Sequence, residues 1–66
     1  MSTIYVVFLH EIPENGNPGR VIESLAFRTK AGAAAYQARL EEDYADDLDP
    51  ENEPTLYVDC LEAILA

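Results

Sequence analysis

The chain has 66 residues, 48% of them hydrophobic, with 13 acidic and four basic side chains and a formal net charge of −9. That length allows one small domain, and the apolar share is that of a globular protein rather than a disordered one. A single cysteine, Cys60, and a single histidine, His10, exclude an internal disulfide and a Cys/His zinc staple.

Met1-Ser2-Thr3 carries no basic stretch ahead of the apolar run Ile4 to Leu9, which is too short for a signal-peptide core or a membrane span. A free cysteine also suits a reducing compartment, so a cytoplasmic protein is expected. Residues 3–10, Thr-Ile-Tyr-Val-Val-Phe-Leu-His, are β-branched and aromatic and apolar at both parities. Tyr5, Val7 and Leu9 would face one side, and Ile4, Val6 and Phe8 the other. Such a strand belongs in the middle of a sheet. Residues 11–19 are dense in turn formers, with Asn15-Gly16 and Pro18-Gly19 pairs, and read as a hairpin loop. A second strand follows over about 20–27, with Val21, Leu25 and Phe27 on one parity and Glu23 interrupting that face toward an edge.

Thr29 is a good N-cap for a helix over about 30–47, although Gly32 stands where a capping-box Glu would be. Ala33, Tyr36, Leu40, Tyr44 and Leu48 form one helical stripe, which should pack on the sheet. Asp49-Pro50 ends the helix at the latest, because the residue before a proline is pushed out of the helical region. Residues 51–54 read as loop. A third strand covers about 55–61, with Leu56, Val58 and Cys60 on its inner parity; residues 61–66 either extend it or turn into a short helix.

The order is ββαβ. A right-handed crossover from the second strand to the third places the strands as 2-1-3. The expected fold is therefore α+β: one domain, a three-stranded antiparallel sheet, and one helix on one face. A single helix covers only one side, so the other apolar parity must be covered by the chain ends, a second copy or another protein. A homodimer through that uncovered face is the expectation.

Charge is divided unevenly along the chain. Residues 1–39 hold three acids and four bases, a balance of +1, whereas residues 40–66 hold ten acids and no base. The sign excludes nucleic acid or an anionic membrane as the direct ligand of the second half and favours a basic partner. Eight of those acids fall in one run: Glu41, Glu42, Asp43, Asp46, Asp47, Asp49, Glu51 and Glu53. On a helix reaching residue 47, the first five crowd the C-terminal end, where each opposes the macrodipole at a cost of about 0.3–1 kcal/mol. Glu42/Asp46 and Asp43/Asp47 would also be like-charge pairs one turn apart. A surface built only for solubility would mix signs and put its acids at the other end. Carboxylates one turn apart stand roughly 5–6 Å from each other, close to phosphate spacing, so the row can occupy a Lys/Arg groove made for a nucleic-acid backbone.

Other chemistry finds less support. Asp47, Asp49, Glu51 and Glu53 alternate like the opening of a calcium loop, but Asn52 replaces the turn glycine and Val58 the closing Glu, so no metal site is expected. His10 ends an apolar strand and Cys60 lies on an inner parity, which suits structural roles. No catalytic residue and no cofactor are expected. Tyr44 and Tyr57, tyrosines close to acids, join the acidic run as candidate partner contacts.

In size, acidity and lack of motifs, the chain resembles the small inhibitors that phages and mobile elements direct against host defences, anti-CRISPR proteins in particular. The resemblance rests on the run Glu41-Glu42-Asp43, Asp46-Asp47, Asp49, Glu51, Glu53. It implies a DNA mimic that blocks a nucleic-acid-binding complex such as a CRISPR effector. The competing expectation is a small homodimeric adaptor whose acidic surface is only solubilising.

Overall fold

A computed structural model describes residues 2–65 of the chain. Strand β1 (Ser2–Glu11) lies between β2 (Val21–Phe27) and β3 (Leu56–Leu65), and both neighbours run antiparallel to it. The sheet order 2-1-3 expected from a right-handed crossover, which the two-sided apolarity of Ile4 to Leu9 fits, is the one found. Helices α1 (Lys30–Asp43) and α2 (Ala45–Leu48) fill the connection from β2 to β3.

The β1–β2 hairpin closes where Asn15-Gly16 predicts. Asn15 and Gly16 take φ of 50° and 81°, and Glu14 and Asn17 exchange backbone hydrogen bonds of 3.0 and 2.9 Å. Two consecutive positive φ values make a type I′ turn, whose twist matches that of the flanking strands. The ladder then shifts register between Leu9 and His10, so that Leu9 faces Glu23 while His10 faces Val21. This bulge takes Val21 off the parity it was expected to share with Leu25 and Phe27. The β1–β3 ladder is regular from Ser2↔Leu65 to Glu11↔Leu56. It continues through the Ile12 N–H, which donates to the Thr55 carbonyl at 3.0 Å. Of the segment 61–66, residues through Leu65 extend the third strand; Ala66 lies outside the described residues.

Thr29 caps α1: its backbone is extended and its Oγ1 accepts the Gly32 N–H at 3.1 Å. Gly32 serves a packing purpose there, because a Cβ at this position would meet the Phe27 ring at 3.1 Å and Thr29 Oγ1 at 3.0 Å. The helix lays its expected stripe on the sheet. Val7, Leu9, Ala33 and Leu40 are buried, and Tyr5, Phe27, Tyr36, Tyr44, Leu48, Leu56, Val58 and Cys60 pack around them half-covered. Among the described residues only four are sealed from water, a small core even for a domain of this length.

The expected helix over 30–47 is divided. Tyr44 leaves the helical region (φ −116°, ψ 29°) while its N–H still donates to the Leu40 carbonyl, and α2 begins one residue later. The Tyr44 hydroxyl donates to Glu23 Oε2 at 2.6 Å. Glu23, the acid that interrupts the inner face of β2, thereby gains a partner at the margin of the core. One residue both ends α1 and satisfies a carboxylate beside apolar surface, where an unpaired charge is costly.

Candidate functional site

All eight acids of the run are exposed. Glu41, Glu42 and Asp43 close α1, Asp46 and Asp47 stand in the first turn of α2, and Asp49, Glu51 and Glu53 follow in the loop before β3. Chain continuity makes them one ridge running off the end of the helical layer. Among the described residues, Asp43 alone of the eight has an ion-pair partner, Arg39 Nε at 3.8 Å, and both side chains are largely exposed. Such a pair contributes little and is screened by salt.

The break at Tyr44 changes the electrostatics expected of this segment. Asp46 and Asp47 are at the start of a short helix, the end that favours negative charge, rather than at the end of a long one. The like-charge pairs Glu42/Asp46 and Asp43/Asp47 no longer share a continuous helix, so one-turn spacing does not apply to them. The loop is locally braced: Asp49 Oδ1 accepts the Glu51 N–H at 3.0 Å, and the Asp49 carbonyl accepts the Asn52 N–H at 3.1 Å. The Thr55 N–H donates to the Asp47 carbonyl at 3.0 Å and ties the end of α2 to the start of β3. Glu53 sits at φ 48°, a left-handed conformation unusual for this residue type.

Beside the ridge lies a shallow groove of about 340 Å³ whose apolar walls include Ile12, Leu48, Pro54, Leu56 and Val58, with Glu41 at its margin. Nothing in the linear pattern marked these residues as a group, since three separate segments supply them. Apolar walls beside a carboxylate suit the aliphatic stem and charged head of a Lys or Arg side chain.

The two tyrosine candidates part company. Tyr44 is half-buried, packed against the core and bonded to Glu23. That hydrogen bond, chiefly, holds its hydroxyl above the usual tyrosine range, with burial adding. Burial likewise raises Tyr36, helped by the Glu23 charge and opposed by Arg39. Tyr57 stands on the other side of the sheet, its ring 5.2 Å from His10 and 6.3 Å from Phe8. His10 is the third member of that aromatic group, and its Nδ1 meets the Glu11 carbonyl. Cys60 is half-buried on the inner face against the core.

No family model, curated protein or solved structure matches the chain. Among the described residues no cluster of three or more His, Cys, Asp or Glu side chains could hold a metal ion. No helix among them is long and apolar enough to cross a membrane.

Proposed function

We propose that this chain is a non-enzymatic binding protein whose acidic ridge occupies the nucleic-acid-binding surface of a basic protein or complex. The observation that carries the reading is the ridge itself: eight exposed carboxylates in thirteen consecutive residues, one of them weakly paired. Carboxylates offer acceptor oxygens and negative charge to the same Lys and Arg side chains that hold a phosphate backbone. The neighbouring groove supplies the aliphatic contact that a bare row of charge lacks. In its most specific form the reading is an inhibitor of a host-defence complex, an anti-CRISPR protein encoded by a phage or mobile element. Such an inhibitor would meet a CRISPR effector in the host cytoplasm.

Reversing Glu42, Asp46 and Asp47 to Lys tests this. All three side chains are exposed, so the fold is expected to survive while binding to the basic target is lost. Wild-type binding should weaken at least about tenfold between 50 and 200 mM salt and compete with duplex DNA. A triple reversal that binds its target normally would sink the mimic. A second reading, an adaptor module that pairs through its sheet, draws on the uncovered sheet face and predicts no effect of the reversal.

A further inference from the structure

The side of the sheet away from α1 is apolar and uncovered. Ile4, Val6 and Phe8 alternate along β1 on this face, and Leu61 and Leu65 stand opposite Val6 and Ser2 on β3. Leu61 is 57% exposed and Leu65 49%. The strand ends remain in the sheet through Ser2 and Leu65, so among the described residues nothing folds back over it. We propose that a second copy of this chain covers the face, giving a two-fold homodimer of sheets packed face to face between two outer helical layers.

Three features favour a second copy over another occupant. The first is charge. The eight acids of the ridge lie on the helical connection and its loop, whereas the only acid at a register position of the open face is Asp59, on an edge strand where it can stay in water at the rim. Face-to-face pairing separates the two ridges by about 10 Å of packed sheet plus a helical layer on each side, beyond the ~8 Å screening length at physiological salt. The net charge of −9 per chain therefore does not forbid the pair. A basic partner, by contrast, would find its complement on the ridge and only Asp59 on this face.

The second feature is area. Strands of ten, seven and ten residues at about 3.4 Å each, about 4.8 Å apart, give a face of roughly 440 Å² in projection. Two such faces come to roughly 900 Å² before side-chain relief is counted, close to the roughly 1,000 Å² lower bound for a specific interface. The third is need. A 66-residue chain with four sealed residues among those described is of the size that usually adds a staple or a partner subunit. The partner must be present wherever the chain folds, and only another copy always is. Self-complementarity of one patch is what a two-fold interface requires.

Sedimentation equilibrium on the wild-type chain at micromolar to sub-millimolar concentration should give twice the 7.3 kDa chain mass. Leu61→Lys should raise the dimer dissociation constant at least about a hundredfold while keeping its far-UV circular dichroism. Leu65→Lys repeats the test at a second position should the first variant lose its fold. Ile64→Lys is the control: Ile64 is 68% exposed but stands opposite Thr3, on the other parity, and its mass should match wild type. A wild-type mass of one chain throughout the range would overturn the proposal, as would Ile64→Lys dissociating the pair while Leu61→Lys and Leu65→Lys leave it intact. The acidic ridge is independent of either result, because Glu42, Asp46 and Asp47 reversals should leave the mass unchanged.

Discussion

The two faces of β1 are built from the same kinds of residue and meet opposite fates. Val7 and Leu9 have no exposure at all, whereas Ile4, Val6 and Phe8, their immediate chain neighbours, remain half-covered. The difference is topological. One crossover connection carries one main helix, and a helix seals a single face of a sheet. A central strand apolar on both sides is thus stabilised by its own fold on one side and left with an unanswered surface on the other. The acidic ridge belongs to the sealed side, so the molecule separates a charged layer from an apolar one across the thickness of a single sheet.

Core substitutions should show that asymmetry most strongly. Leu40→Ala on the sealed side should lower the unfolding free energy by about 2–5 kcal/mol. A chain this size has a net stability of only about 3–10 kcal/mol. Leu61→Ala on the open side should cost under about 1 kcal/mol in dilute solution, and more where copies associate. Urea denaturation at two protein concentrations measures both; equal losses from the two variants would mean that the faces are equally covered.

Tyr44→Phe addresses the corner where α1 ends. It removes the hydroxyl that satisfies Glu23, and a fall in Tm on the order of 5–10 °C is expected. It also changes the alkaline limb of stability. The Tyr44 hydroxyl holds its proton more tightly in the folded chain than the ordinary value of 10.0. Its contribution is therefore complete below pH 10 and lost as pH rises through the raised value. The Phe variant should show a shallower alkaline decline in a thermal-melt series from pH 8 to 11.

The smallest effect is expected at the start of the covering helix. Thr29→Ala deletes the cap on the Gly32 N–H and should cost about 1 kcal/mol. A loss several times larger would mean that Thr29 holds the helix to Phe27 as well as capping it.

Local chemistry made much of this fold legible. Asn15-Gly16 marked the hairpin, Thr29 the helix start, the stripe from Ala33 to Leu48 the packed side, and two-sided apolarity the central place of β1. What escaped was decided across the sheet. The division of the helix at Tyr44 coincides with a bond to Glu23, 21 residues away, and no window around Tyr44 contains that acid. The bulge beside Leu9 inserts one residue into a ladder and moves Val21 to the other side, which strict alternation does not register. Residues 61–65, Leu-Glu-Ala-Ile-Leu, show no period that separates strand from short helix, so their strand state followed only from pairing with Ser2 to Val6. The groove beside the ridge draws on Ile12, Leu48 and Leu56 from three segments.

By itself, the sequence marked the central place of β1, the packed stripe of the helix and the location of the charge, because each depends on periodicity and composition within a short stretch; which parity of β1 is covered came only from the structure. Tertiary structure alone decided how the acids are held. By ending α1 at Asp43 it set Asp46 and Asp47 at the start of a new helix, where the dipole favours them, and left Glu41, Glu42 and Asp43 at the end that opposes them. A contact between distant residues accompanies that break, and short-range pattern carries no record of such contacts.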